Sequence, residues 1–191
     1  MDETLAVLLT DDTASRAMRT GAAGAALAEG GTEAAPMFDL IELLFFAYRD
    51  FVGDADRLLE TYGFGRAHHR VLHFVNRRPN LMITELLDIL RITKQSLNRV
   101  LKDLLDQGFV EARPGVADRR QRLLVVTGKG RRLALDLAGV QTQRFARALS
   151  ELPAGARGHA MAFLLAMVDP QERGKIAGLT QIETEPPAAI P

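Results

Sequence analysis

Apolar residues recur at three- and four-residue steps along most of the chain, which is the period of an amphipathic α-helix. The first such run starts near Phe38 and ends at Gly63 and Gly65, and a second spans about residues 66–76. Within the first run, residues 43–46 are all apolar, so more than one face of that helix is apolar. Such a helix is either central to a core or part of an oligomer interface.

Two short helices joined by a tight turn are predicted next. The first spans about Ile83 to Leu90 and the second about Lys94 to Gln107, with Arg91 and Ile92 in the turn. Thr93 is a favourable N-cap for the second helix, because its hydroxyl can accept a hydrogen bond from an amide of the first turn. Two helices in this arrangement form a helix-turn-helix unit.

The polar face of the second helix is typical of a helix that enters the major groove of DNA. Its Lys, Gln, Asn and Arg side chains can reach phosphates and base edges. The alternative is an ordinary amphipathic helix with a solvated outer face. The candidate DNA-binding residues are Thr93, Lys94, Gln95, Ser96, Asn98, Arg99 and Lys102.

A basic β-hairpin is predicted directly after this helix. Its strands span about residues 109–113 and 123–127, and Pro114 and Gly115 belong to the connection. A helix-turn-helix followed by a hairpin is a winged helix, and arginines at the tip suit a narrow minor groove, where the potential is most negative. Asp118 is expected to pair with a neighbouring arginine and orient it; the alternative is a solvated hairpin without a partner. The candidate wing residues are Arg119, Arg120 and Arg122.

The C-terminal part continues the helical pattern. Thr127 is expected to cap a long helix over about residues 128–149, and Pro153 lies near the start of the last helix. The apolar residues of that last helix are predicted to form a buried face. They are Ala160, Phe163, Leu164, Met167 and Val168.

The charge distribution favours an anionic partner. The 191 residues carry no net charge, but residues 66–132 hold fifteen bases and six acids, whereas residues 1–37 and 38–65 each have a net charge of −4. A local basic excess indicates double-stranded DNA as a partner, although a solvated basic face gives the same count. The absence of Cys excludes disulfides and thiolate metal sites and favours a cytoplasmic location, and no apolar run approaches the ~20 residues that span a membrane.

No pattern of an enzyme or a cofactor site is present in the sequence. The chain lacks a Gly-rich phosphate loop, a Gly-x-Ser-x-Gly segment and a His-Glu-x-x-His helix, so we expect neither catalytic activity nor a cofactor. His69 and His73 share one helix face and could ligate a metal ion, but no carboxylate lies on the same stretch. A structural or DNA-proximal role is therefore preferred for these histidines over a metal site.

Three segments together resemble the MarR family of bacterial transcription regulators. They are residues 104–113, residues 118–120 and residues 126–130. The wing of this family has Asp-x-Arg and then a strand that ends in Leu-Thr-x-x-Gly. The matching positions are Asp118, Arg120, Thr127 and Gly130, with Val126 in place of the leucine.

The chain departs from the family pattern at two positions near the helix-turn-helix. Arg91 lies in the turn where members of the family often have Gly. Met82 lies where Ser or Thr often precedes the first helix, so Asn80 and Thr84 are the remaining candidate caps.

The resemblance implies a mostly helical α+β fold, namely a winged-helix homodimer whose first and last helices form the dimerisation region. It implies a sequence-specific transcription regulator on a pseudo-palindromic operator, with Arg120 in the minor groove and residues 94–99 facing the major groove. The alternative is a winged-helix protein-interaction module without specific DNA binding. The expected organisation is a flexible leader (1–37), a dimerisation helix (38–64), a DNA-binding lobe (65–132), C-terminal dimerisation helices (133–170) and a disordered tail (171–191).

A small-molecule pocket is expected next to the first helix. That helix carries more aromatic surface than the packing of one helix needs, and apolar walls with a few polar groups are what a ligand pocket requires. The resemblance places effector pockets at the junction of this helix and the DNA-binding lobe, so we expect an aromatic or anionic effector there. The alternative is a fully packed core and a constitutive regulator. The candidate lining residues are Phe45, Tyr48, His69 and Arg70.

Overall fold

The computed structural model describes residues 35–115 and 121–181. Its helices are α1 (Phe38–Glu60), α2 (Arg66–Arg77), α3 (Ile83–Leu90), α4 (Lys94–Asp106), α5 (Gly128–Ser150), α6 (Ala156–Met167) and α7 (Arg173–Thr180). Its strands are β1 (Leu81–Met82), β2 (Val110–Pro114) and β3 (Arg122–Val126). The predicted mostly helical α+β fold is confirmed. The leader to residue 34, the wing residues Asp118, Arg119 and Arg120, and residues 182–191 lie outside the described residues.

The three strands form one antiparallel sheet in the order β1-β3-β2. Leu81 of β1 lies opposite Leu124 of β3, and Val110 of β2 lies opposite Val126 of β3. β1 was not predicted, because two residues are too few to show the alternation of a strand.

The core is formed by the C-terminal end of α1, by helices α2 to α5 and by the sheet. Ala55 and Leu59 of α1 are fully buried, as are apolar side chains of α2, α3, α4, β3 and α5. Among the described residues, no polar or charged residue is buried. The buried cluster includes Val71, Leu72, Val75, Leu86, Leu97, Leu104, Phe109, Leu124, Leu133 and Leu137.

Two predicted helix caps are confirmed. The Thr93 hydroxyl accepts a hydrogen bond from the Ser96 amide at 3.1 Å at the start of α4. The Thr127 hydroxyl accepts one from the Gly130 amide, also at 3.1 Å, at the start of α5. Each bond satisfies an amide that has no partner within its helix. Both helices therefore begin where the sequence predicted.

The predicted caps of α3 are wrong. Neither Asn80 nor Thr84 takes this role; instead the Glu85 carboxylate accepts a hydrogen bond from the Met82 amide at 2.8 Å. This is the reciprocal half of a capping box, and it needs no hydroxyl at the N-cap position. Arg91, in the turn, has the left-handed φ of +51°, a conformation that glycine adopts more readily.

The last two helices differ from the sequence prediction. Phe163, Leu164 and Met167 of α6 are more than half exposed, and α6 has no buried residue, so its apolar face is not buried within this chain. The predicted disorder from residue 171 is wrong for α7, which buries Ala177. Within the described ranges, no helix is long and apolar enough to cross a membrane.

Candidate nucleic-acid interface and ligand cavity

α4 presents a continuous polar face to solvent. Leu97, Val100, Leu101 and Leu104 bury the opposite face in the core and so fix the rotation of the helix about its axis. The side chains that reach solvent include two amides and three cations, which is the donor and acceptor set that base edges and phosphates require. All the predicted residues of this helix are exposed, namely Thr93, Lys94, Gln95, Ser96, Asn98, Arg99 and Lys102.

Contacts within α4 distinguish these side chains from one another. The Thr93 hydroxyl caps the helix and also donates to the Ser96 hydroxyl at 2.9 Å, so both are held at its N-terminus. Lys102 donates to the Asp106 carboxylate at 2.6 Å, and this hydrogen bond raises the pKa of Lys102. This ion pair holds the Lys102 ammonium beside Asp106 on the exposed face of the helix.

A partly buried pair joins α4 to the start of α2. The Gly65 amide donates to Nδ1 of His68 at 3.1 Å, which leaves the proton on Nε2, and Nε2 lies 3.2 Å from the Asp103 carboxylate. The imidazole also stacks on Phe64, with ring centroids 4.7 Å apart. This contact was missed in the sequence, because His68 and Asp103 are 35 residues apart and no spacing rule connects them.

The described part of the wing consists of its two strands. Arg122 is exposed at the start of β3, opposite Pro114. The Gly115 amide donates to the Gln121 carbonyl at 3.0 Å, which closes the base of the connection. Of the four predicted wing residues, only Arg122 is thus placed by the structure, whereas the positions of Asp118, Arg119 and Arg120 remain predictions.

The segment that follows the wing is locked to the end of α4. The Thr127 hydroxyl donates to the Gly108 carbonyl at 2.7 Å, and the Thr127 amide donates to the Phe109 carbonyl at 3.0 Å. A Cβ atom at Gly130 would lie 1.9 Å from the Phe109 carbonyl oxygen. This close approach explains why glycine follows threonine by three residues here.

A cavity of about 320 Å³ lies between α1, α2 and α5. Tyr48, Phe51, Val52 and Phe74 form its apolar wall. Tyr48, His69 and Arg70 were predicted to line a pocket, and the structure places all three at this cavity. Phe45 is not among the lining residues, and its side chain is 66% exposed.

The polar wall of the cavity is cationic. Arg66 pairs with the Asp56 carboxylate of α1 at 2.8 Å, and Arg70 donates through Nη2 to the Leu90 carbonyl at 3.0 Å. Desolvation lowers the pKa of His69, with a further contribution from the charge of His73. The formal positive charge of this wall belongs to the two guanidinium groups, of which that of Arg66 is paired with the Asp56 carboxylate.

The lining residues that were not predicted are Phe51, Val52, Arg66, His73, Phe74 and Gln141. For α2 the signal was present, because Arg66, His69, Arg70 and His73 follow one another at helical spacing and share one face. Gln141 reaches the cavity from α5, and nothing in its local sequence indicates this. Among the residues that the structure describes, no group of three side chains could hold a metal ion.

Comparisons with known proteins agree with this architecture. The MarR family model matches residues 62–121. The chain is 47% identical over 133 residues to the HTH-type transcriptional regulator PetP of Rhodobacter capsulatus, a match that covers 70% of this chain and 80% of PetP.

Two solved structures have the same fold at low sequence identity. One is CouR from Rhodococcus jostii RHA1 bound to p-coumaroyl-CoA, with a TM-score of 0.58, 19% identity and coverage of 69% of this chain and 93% of CouR. The other is the S. aureus MepR–DNA complex, with a TM-score of 0.56, 15% identity and coverage of 71% and 98%.

Proposed function

Because this chain belongs to the MarR family of transcriptional regulators, we propose that it binds a pseudo-palindromic DNA operator as a homodimer. The family consists of regulators rather than enzymes, which confirms the expectation that the chain is not an enzyme. The exposed face of α4 is the observation that carries the proposal, because its burial pattern turns every candidate DNA-binding side chain of that helix to solvent.

In this proposal, the amides and Arg99 of α4 contact base edges, whereas Lys94 and Lys102 contact phosphates. Base contacts specify the sequence, and phosphate contacts position the protein on the duplex. The wing arginines enter the adjacent minor groove, with Asp118 orienting one of them. The capped first turn of α4 supports this arrangement, since the Thr93–Ser96 contacts fix the end of the helix from which Gln95 projects.

We propose a homodimer because this chain exposes large apolar side chains on two of its helices. α6 buries none of its residues, and the first half of α1 is likewise exposed. Exposed apolar faces of this extent mark an interface, and an interface formed by the same faces of two copies has a two-fold axis. We call these residues the open apolar surface: Phe38, Leu40, Ile41, Leu43, Leu44, Phe45, Phe46, Phe163, Leu164 and Met167.

The DNA-binding proposal is tested with operator fragments selected from the source genome. Gln95→Ala, Asn98→Ala and Arg99→Ala are each expected to cost ~1–3 kcal/mol of operator binding and to change the preferred bases. The matched control, Lys102→Ala, is expected to weaken operator and random DNA alike. Equal losses on both DNAs for all four variants would contradict base recognition by α4.

The wing and the symmetry are tested with the same operator. Arg120→Ala is expected to weaken operator binding by ~1–3 kcal/mol without changing the stability of the fold. Inserting five base pairs between half-sites about one helical turn apart is expected to abolish tight binding. A protein-interaction module would instead select no fragment and would lack the steep salt dependence of ~6–10 phosphate contacts.

We also propose that the cavity binds an aromatic anion that lowers DNA affinity. Its aromatic wall and two guanidinium groups support this class of ligand, and CouR is a structural neighbour with an aromatic acyl thioester bound. Calorimetric titration with benzoate, and with benzamide as the neutral control, tests it. Benzoate is expected to bind more tightly and to lower operator affinity, and linkage requires DNA to lower benzoate affinity by the same factor.

A further inference from the structure

Arg70 contacts both the cavity and the helix-turn-helix. Its side chain lines the cavity, and its Nη2 donates to the carbonyl oxygen of Leu90 at 3.0 Å. Leu90 is the last residue of α3, and Arg91 follows it in the turn of the helix-turn-helix. One guanidinium therefore connects the cavity wall to the turn that leads into α4.

The Leu90 carbonyl lies at the C-terminal end of α3, where a hydrogen bond from outside the helix stabilises its last turn. The last four carbonyls of a helix lack partners within it, and at the end of α3 the Arg91 amide donates to the Leu87 carbonyl. The guanidinium supplies a further donor and places positive charge at the negative end of the helix dipole. The turn itself contains a non-glycine residue with positive φ, so it depends on contacts from its surroundings.

We propose that Arg70 couples the occupancy of the cavity to the geometry of the α3–α4 turn. An aromatic carboxylate in the cavity draws the guanidinium away from the Leu90 carbonyl, because a bidentate charged pair is stronger than a hydrogen bond to a neutral oxygen. The turn then loses this hydrogen bond to α2, which loosens the turn and the N-terminal end of α4. This inference rests on the proposed effector function of the cavity.

α2 itself is not the part that moves in this mechanism. Val71, Leu72 and Val75 are completely buried and hold the helix in the core. The guanidinium of Arg70 lies at the end of a flexible side chain and has two alternative partners, a carbonyl and a ligand. Such an element has two discrete arrangements, which is what coupling between two sites requires.

Arg66 provides a matched control for Arg70. It lines the same cavity and carries the same charge, but its guanidinium donates through Nε and Nη2 to the Asp56 carboxylate of α1, at 2.9 and 2.8 Å. Arg70→Lys and Arg66→Lys both keep a cation for the ligand while removing the planar fork that can serve two partners. The two variants thus differ in whether the altered side chain contacts α3 or α1.

The experiment measures hydrogen exchange at the amides of residues 91–97 in the full chain, with and without saturating benzoate. Saturation is set by calorimetry for each variant. In the wild type and in Arg66→Lys, benzoate is expected to raise exchange at these amides by about fivefold or more, the low end of typical coupling factors. In Arg70→Lys, exchange is expected to be raised already in the free protein, and benzoate is expected to change it less than about twofold.

Two results would overturn the inference. One is benzoate bound to the wild type with unchanged exchange at residues 91–97, and the other is a full benzoate response in Arg70→Lys. If Arg70→Lys does not bind benzoate, hydrogen exchange in the ligand-free variant is the deciding measurement. Exchange in the turn as slow as in the wild type would refute a role for the Arg70–Leu90 contact, and faster exchange would support it.

The inference and the proposed functions fail in different ways. Failure of benzoate to bind the wild type overturns the effector proposal and the inference together. Exchange is measured without DNA, so a failure of operator binding leaves the result on Arg70 intact.

Discussion

Replacing Gly130 with Ala tests the close contact on which the junction of α5 with the wing depends. The added Cβ would lie 1.9 Å from the Phe109 carbonyl oxygen and 2.8 Å from the carbonyl carbon. Both neighbours are backbone atoms, so no side-chain rotation can relieve the overlap. Either α5 or the chain at Phe109 must shift by more than about 1 Å to restore ordinary contact.

The expected cost follows from three contributions. Overpacking of this kind costs up to ~3 kcal/mol. The shift also weakens the two hydrogen bonds from Thr127 to the Gly108 and Phe109 carbonyls, at ~1 kcal/mol each. The higher helix propensity of alanine offsets ~1 kcal/mol. We therefore expect a loss of up to about 4 kcal/mol in the free energy of unfolding.

Urea unfolding followed by circular dichroism, at one fixed protein concentration, measures this loss. The control is Gly128→Ala in the same turn, where the nearest atom to the new Cβ is the flexible end of Arg132 at 3.8 Å. That variant is expected to be neutral or to gain up to ~1 kcal/mol. If Gly130→Ala were as stable as Gly128→Ala, the close approach would not govern this position.

Three further predictions concern other parts of the fold. Thr93→Ala is expected to cost ~1 kcal/mol in urea unfolding because α4 loses its cap, and Thr93→Ser is expected to retain most of that energy. Desolvation lowers the pKa of His69 and of His73 below 6.5, so the unfolded chain binds protons more readily. The free energy of unfolding should therefore fall as the pH drops through 6.5, and this slope should flatten when both are replaced by Gln. Ala177→Asp is expected to raise hydrogen exchange across α7, because it places a charge at a buried position. Gly178→Asp, at an exposed position of the same helix, is expected to leave exchange unchanged. Equal effects of the two substitutions would refute docking of α7 on the rest of the chain.

The parts of the fold that the sequence predicted are those governed by neighbours along the chain. Helix periodicity and the hydroxyl caps at Thr93 and Thr127 act within a few residues, so α4 and α5 begin where expected and α4 ends within one residue of its predicted end. β1 and α7 could not be predicted in this way, because each is stabilised by distant partners. α7, for example, forms an ion pair between Lys175 and Asp88 of α3 across 87 residues.

The candidate sites also differ in whether they depend on neighbours along the chain or on distant contacts. Which side chains of α4 face solvent follows from the apolar positions of that helix alone. The cavity needs α1, α2 and α5 to meet; the aromatic residues of α1 and the polar face of α2 gave a signal for it in the sequence, whereas α5 gave none. The bond from Arg70 to the Leu90 carbonyl has no sequence signal, because a backbone acceptor is present at every residue.

Arg91, in the turn of the helix-turn-helix, combines a strained backbone conformation with an ion pair to a residue that is distant in the sequence. A non-glycine residue at left-handed φ costs ~1–2 kcal/mol relative to its relaxed backbone. Arg91 recovers part of this through its guanidinium, which lies 2.8 Å from the Glu172 carboxylate just before α7, an exposed pair worth ~0–1 kcal/mol. Glycine would avoid the strain but would give up that pair. The turn is thus held by Glu172, just before α7, from one side and by Arg70 of α2 from the other.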